Sequence, residues 1–227
     1  MEPASVDMIL CDLPYGTTQN KWDSVIPLDE LWEQFRRVIK PTGAIVLTAA
    51  QPFTSLLVSS NWEMFKYEWI WEKTKKTGFL NAKRQPLRNH ESILVFYDQQ
   101  PVYNPQGIIP CLKRCDRGSE DGTGENYGKA NPRYLQTQTG YPCSVLKIRS
   151  EGKPQHPTQK PLSLFEYLIK TYSNPGDLVL DPCMGSGTTA LAARKTGRNY
   201  IGFELSPEYC EIAERRLAEE LTLHGEE

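Results

Sequence analysis

Apolar residues along this chain follow two rhythms, a strand-like run or alternation and a helical recurrence every three to four positions. Residues 6–11 (VDMILC) form a short apolar run suited to a buried strand. After Pro27, which suits a first helical turn, Leu28, Leu31, Trp32, Phe35, Val38 and Ile39 share one helical face, and Pro41 with Gly43 is expected to stop it. Residues 44–48 (AIVLT) read as a second buried strand, residues 53–60 as a short helix, and residues 67–71 and 93–97 as further strands. Strands separated by helical faces predict an α/β architecture with a largely parallel sheet.

The pattern dissolves between Pro101 and Pro154, where seven Gly and six Pro interrupt any sustained period. Residues 101–155 therefore read as a loop-rich insertion within one domain spanning residues 1–227, and a long irregular segment of this kind is usually functional. Tyr103, Tyr127, Tyr134 and Tyr141 lie in it among basic residues. Regularity returns at 162–172, where Leu164, Phe165, Leu168, Ile169 and Tyr172 make a helical face. A strand-loop-helix unit follows (LVLD, PCMGSG, TTALAARK), closed by Gly197; then come a strand at 200–204 and a helix opened by Ser206 and Pro207.

Composition narrows the class. With 39% apolar and 10% aromatic residues the chain can bury a substantial core. No apolar stretch approaches the roughly 20 residues that span a bilayer, and the start, MEPASVDMIL, lacks a basic region followed by an apolar signal core, so a cytoplasmic location and no membrane association are expected. The six cysteines show no framework spacing, which favours reduced thiols, and the pair Cys111 and Cys115 alone is too little for a metal site. The net charge of −2 hides an asymmetry: residues 66–160 hold 16 Lys and Arg against 9 Asp and Glu, while the two ends are acidic. A basic middle on an acidic body suits contact with a polyanion.

The stretch DPCMGSGTT (181–189) ends a strand and opens a helix, so Gly185 and Gly187 permit a tight turn and close approach of a ligand to the main chain. About 20 residues downstream, Glu204 stands where an acidic side chain accepts ribose hydroxyls. The third glycine of a dinucleotide loop and the Gly-Lys of a triphosphate loop are both missing. Asp181 would repel a pyrophosphate and attract an ammonium group, which favours a cofactor carrying a ribose and a positive charge, such as S-adenosylmethionine. In HPTQKP (156–161), Thr158, Gln159 and Lys160 are candidate ligands for such a cofactor's carboxylate end, whereas His156 is read as structural.

Together these segments resemble the amino-methyltransferases of DNA, whose catalytic motif is Asp/Asn/Ser-Pro-Pro-Tyr/Phe and is present here as Asp12, Leu13, Pro14 and Tyr15. The likeness extends to DPCMGSGTT with Asp181, Cys183, Gly185, Gly187 and Thr188, to HPTQKP, to IGFELSPEYCEIAERR, and to the mid-chain stretch WEKTKK…FLNAKRQPLRNHESILVFY. With the catalytic motif first and the cofactor motif last, the order is that of the family's β group. The resemblance implies a circularly permuted class I S-adenosylmethionine-dependent methyltransferase fold, a mostly parallel seven-stranded sheet flanked by helices. It also implies methylation of double-stranded DNA and a restriction-modification context, and it permits a homodimer. Members of the group carry a further segment ahead of the catalytic strand; only a few residues precede Val6 here, which implies a cofactor pocket open on one side.

An exocyclic amine is a poor nucleophile because its lone pair is delocalised into the base, so alignment and localisation of that lone pair are what the enzyme must supply. Positioning can lower a barrier by about 7–11 kcal/mol, more than the roughly 10²–10⁴-fold of acid–base assistance. Asp12 can accept one N–H and the backbone carbonyl of Leu13 or Pro14 the other, with proline stiffening the segment. Tyr15 offers an aromatic face to a flipped-out base, worth roughly 1–3 kcal/mol. An aspartate in the first position resembles the adenine-N6 enzymes. Cytosine-N4 transfer, methylation of a protein glutamine amide, and DNA binding without catalysis are the alternatives. Lys73, Lys75, Lys76, Lys83, Arg84 and Arg88 form the densest basic run and are expected to contact phosphates, with base recognition in this run or in the 101–155 insertion.

Overall fold

A strand covered on both faces needs an apolar side chain at nearly every position, and β1 (Val6–Cys11) meets that requirement: all its residues except Asp7 are fully buried. The computed structural model describes residues 1–16, 24–116, 133–152 and 159–224. It divides into two compact units, residues 1–104 with 144–227, and residues 105–143.

In the first unit the elements run β1, α1 (Leu28–Val38), β2 (Ile39–Ala49), α2 (Phe53–Ser60), β3 (Phe65–Thr77) and β4 (Arg88–Phe96). After the second unit, which contributes β5 (Ile109–Asp116) and β6 (Arg133–Thr139), they continue as β7 (Val145–Lys147), α3 (Leu162–Tyr172), β8 (Leu178–Asp181), α4 (Thr188–Lys195), β9 (Asn199–Gly202) and α5 (Pro207–His224). Seven strands pair in the order β7-β3-β4-β2-β1-β8-β9. The pairs β1–β2, β1–β8, β8–β9 and β3–β7 are parallel, while β4 runs antiparallel to both β2 and β3.

Alternation along β1 divides the core in two. Ile9 and Cys11 face Trp32 and Phe35 of α1 and Phe53 and Leu57 of α2. Met8 and Leu10 face Leu164, Phe165, Leu168 and Tyr172 of α3 with Ala192 and Ala193 of α4. The helices thus lie on both faces, and the strands that lead into the CDLPYG and DPCMGSGTT stretches pair inside the sheet, where Met8 opposes Val179 and Ile9 opposes Leu180. The exception, Asp7, accepts an ion pair from Lys40 at 2.6 Å and a hydrogen bond from the Leu178 amide at 2.9 Å, tying β2 and β8 to β1.

Two expectations are corrected. The first helix ends at Val38, and Ile39 opens β2, so Pro41 and Gly43 lie inside a strand instead of stopping a helix. The register explains their tolerance: Val6 faces Ile39 but Met8 already faces Ala44, so the intervening residues bulge out of the ladder, where a missing amide is harmless. Residues 101–155 are also more regular than expected. β7 adds an edge to the main sheet beside Ile70 to Glu72, and β5 and β6 form an antiparallel pair. In that pair the Cys111 and Cys115 thiols donate to the backbone and side-chain oxygens of Gln136, at 3.6 and 3.5 Å. Among the described residues no helix is long and apolar enough to cross a membrane.

Candidate active site at the ends of adjacent parallel strands

In a parallel sheet, ligands gather beyond the carboxyl ends of the strands. Asp12 immediately follows β1, and Asp181 is the last residue of the neighbouring β8. Both line a cavity of about 970 Å³. Asp12, Leu13, Pro14, Tyr15, Gln159, Lys160, Asp181, Cys183, Gly185, Thr188 and Glu204 are brought together around it. Thr158 lies outside the described residues.

At the β1 end, the carboxylate of Asp12 is held from three sides. Lys160 Nζ donates to both its oxygens at 2.6 Å. The Tyr15 hydroxyl lies 2.7 Å from Oδ1 and 2.9 Å from the Thr48 hydroxyl, which itself donates to Asp12. With a single proton, the tyrosine donates to one of the two oxygens. Its ring stacks on Phe53, with centroids 5.4 Å apart. Behind Lys160 stands Glu91 on β4, with Oε2 at 3.3 Å from that ammonium and Oε1 accepting from Lys73 at 2.8 Å. Apart from that charge contact, Glu91 Oε2 is buried and accepts no hydrogen bond among the described residues.

The charges balance pairwise. Burial alone would push the Glu91 carboxyl up, yet Lys160 and Lys73 bring it below the usual carboxylate range. Burial would likewise lower the Lys160 ammonium, but Asp12 and Glu91 more than reverse this and raise it. Burial and the adjacent Asp12 charge push the Tyr15 phenol up, so it stays a proton donor. Only 7% of the Lys160 side chain is exposed, and it is spent on Asp12 rather than left free for a cofactor carboxylate. Lys73 is likewise enclosed against Glu91, which removes it from the expected phosphate contacts. Leu13 is buried at 3% exposure and packs into the core on the α1 side, so its side chain is an anchor.

At the β8 end, Asp181 is buried and accepts hydrogen bonds from the Cys183 amide at 3.0 Å and from the Thr189 hydroxyl. Burial pushes its carboxyl up to about 6. Among the described residues, no ammonium or guanidinium pairs with it. The glycine loop then turns through Gly185 and Gly187, both with positive φ. Gly187 does not line the cavity: a Cβ there would meet Ala213 of α5 at 2.8 Å, so its role is close helix packing. Glu204, two residues past β9, accepts from the Gly185 amide and the Ser206 amide at 2.8 Å each, fixing the loop to the next strand. Arg216 of α5 donates to the Ser186 carbonyl and to the Ser186 and Thr188 hydroxyls, locking the loop from behind.

Sequence reasoning did not reach Thr48, Glu91 and Arg216, nor Phe203 and Leu205, which flank Glu204 in the cavity wall and are exposed. One signal was available. Glu91 stands directly before five consecutive buried residues, and a carboxylate entering such a strand needs a cation. Lys75 and Arg88 line the cavity mouth, while Lys76, Lys83 and Arg84 are exposed outside it.

A permuted, mostly parallel sheet carries an Asp-x-Pro-Tyr carboxylate at one strand end, with a glycine loop and the Glu204 carboxylate beside it. These features define an S-adenosylmethionine-dependent amino-methyltransferase. Residues 6–215 match the DNA methylase family of N6 and N4 enzymes, and the chain belongs to it. It is 32% identical to the type II methyltransferase M1.MboII of Moraxella bovis, over 92% of this chain and 88% of that one. It is 30% identical to the DNA adenine methyltransferase YhdJ of Escherichia coli K12, over 94% and 76% of the two chains. Among solved structures it is similar to the M1.HpyAVI–SAM complex, with a TM-score of 0.64 and 28% identity over 93% of this chain and 89% of that one.

Proposed function

We propose that this chain methylates the exocyclic N6 of an adenine flipped out of double-stranded DNA. The observation that carries this reading is Asp12, a carboxylate held by Lys160, Tyr15 and Thr48 in the same cavity as the glycine loop and Glu204. The residues present fit S-adenosylmethionine. Asp181 is a buried carboxylate with no cation facing it among the described residues, the counterpart of an ammonium. Glu204 retains lone pairs for ribose hydroxyls, Phe203 and Leu205 offer apolar surface to an adenine, and Gln159 lines the same cavity. A cavity of about 970 Å³ has room for a nucleoside cofactor beside a nucleobase.

S-adenosylmethionine supplies an electrophilic methyl group on a sulfonium. Asp12 accepts one amine N–H and the backbone carbonyl of Leu13 or Pro14 the other, drawing the lone pair out of the ring. Lys160 ion-pairs with both oxygens of Asp12, and the tyrosine and threonine hydroxyls fix which way its lone pairs point. Lys75, Lys76, Lys83, Arg84 and Arg88 contact phosphates, and the residue 105–143 unit reads the target bases. The enzyme acts in the cytoplasm as a homodimer, which sedimentation of the purified chain would check.

The adenine-N6 reading rests on aspartate in the first motif position and on similarity to YhdJ. Expression in a host without DNA methylation, followed by mapping of modified positions, tests it. N6-methyladenine in a fixed sequence context is expected, and methylcytosine as the sole product would overturn the choice of base.

A further inference from the structure

The β3–β4 hairpin ends in a turn with an unusual surface. Gly78 enters it in the left-handed region at φ +92, and residues 79–81 form one 3-10 turn. Hydrogen bonds from the Asn81, Ala82 and Arg84 amides to the Gly78, Phe79 and Asn81 carbonyls, 2.8–3.1 Å long, close it on itself. The tip is therefore tied by its own backbone, and it presents Phe79 at 66% and Leu80 at 103% exposure. Close to this apolar pair along the hairpin lie Lys76, Lys83, Arg84 and Arg88, all exposed. On the stem below, Lys75, Thr77, Arg88 and His90 line the mouth of the cavity that holds Asp12.

We propose that Phe79 and Leu80 form a wedge that enters the DNA stack and fills the space left by the flipped base. The proposal rests on the DNA-methylation reading and adds the residues that open the duplex. The neighbouring charge selects the occupant: an apolar tip alone would suit many surfaces, but one with four exposed cations beside it in the hairpin faces a polyanion, and the most extensive apolar surface of duplex DNA lies between its base pairs. Unstacking a pair is costly, and proteins that kink or open DNA lower that cost with Phe or Leu inserted between steps. The stem residues at the cavity mouth put the tip beside the opening that the base must enter. A closed 3-10 turn suits a wedge better than a mobile loop, because little ordering is needed on insertion.

The test compares two duplexes carrying the mapped target site, one fully paired and one with an abasic site opposite the target base. For the double variant Phe79→Ala and Leu80→Ala, kcat/KM on the paired duplex is expected to fall by roughly 10- to 100-fold. On the abasic duplex, where no base pair has to be broken, it stays within about threefold of the parent enzyme. Phe79→Trp alone, which keeps a flat apolar ring, retains activity on both. As a contrast, the pair Lys76→Ala and Arg84→Ala weakens both duplexes alike and lessens the salt dependence. Equal loss on both duplexes, or no loss on the paired one, would overturn the wedge. A parent enzyme that methylates neither duplex would overturn the DNA-methylation reading and the wedge with it.

Discussion

Two aspartates end adjacent strands of the same sheet, and their surroundings are opposite. Asp12, after β1, has a lysine on both oxygens and two hydroxyls beside it. Asp181, at the end of β8, has only neutral donors, and burial pushes its carboxyl up to about 6. A carboxylate whose charge is already matched can present lone pairs to a neutral amine without drawing in another cation. A buried carboxylate left without a counter-charge favours a positively charged ligand, because that ligand removes its desolvation cost. One strand end is thus suited to the base and the other to the methyl donor, and the difference resides in the neighbours of two identical side chains.

Removing the first of the pair breaks the comparison most severely. Asp12→Ala should lower single-turnover transfer by about 10²–10⁴-fold while calorimetric cofactor affinity stays nearly unchanged. Parallel loss of cofactor binding would mean that the two ends are not separate. Next in size, Lys160→Met strips the shared cation from Asp12 and Glu91. About 3–5 kcal/mol of folding stability should be lost in urea titrations, with transfer falling alongside it.

Asp181→Asn tests the other end. Cofactor affinity is expected to weaken by roughly 10- to 100-fold, with transfer at saturating cofactor largely kept. The pH dependence of the parent sharpens this. A carboxyl raised from 3.8 to about 6 binds its proton more tightly folded than unfolded, so its ionisation costs about 2–3 kcal/mol of stability as pH rises through that window. Cofactor affinity should move the other way, falling as pH drops through about 6, because the neutral acid no longer attracts an ammonium. The Asn variant should show neither trend in melting and binding measured from pH 4 to 8. The smallest effect belongs to Tyr15→Phe, which keeps the ring on Phe53 and loses one hydrogen bond to the Asp12–Thr48 pair. About 1 kcal/mol, or fivefold in kcat, is expected.

Local patterns made much of this legible. α2 and α3 occupy the ranges their apolar spacing predicts, and β1 is the apolar run of VDMILC. Ile39 was misassigned because it continues the helical face of α1 while its partner, Val6, lies 33 positions away. β7 escaped because three residues with one buried side chain carry no period. In the site, Asp12 and Tyr15 were readable as near neighbours in one motif. Lys160 was found with a different task, since its partners arrive from β1 and β4 and no local pattern encodes an ion pair spanning 148 residues. Gly187 was assigned to the cofactor because glycine in a strand-to-helix turn serves both a close ligand and a close helix. Only the position of Ala213 distinguishes them.

The pairing of β1 with β8 also has a consequence for synthesis on the ribosome. β1 emerges before its parallel neighbour β8, which follows about 170 residues later, roughly 10–30 s of translation. Until then Met8 and Ile9 have a ladder partner only on the β2 side, and the glycine loop does not exist. A nascent chain therefore displays Asp12 and Tyr15 long before the glycine loop is made, and the cavity they share is completed only when β8 docks against β1.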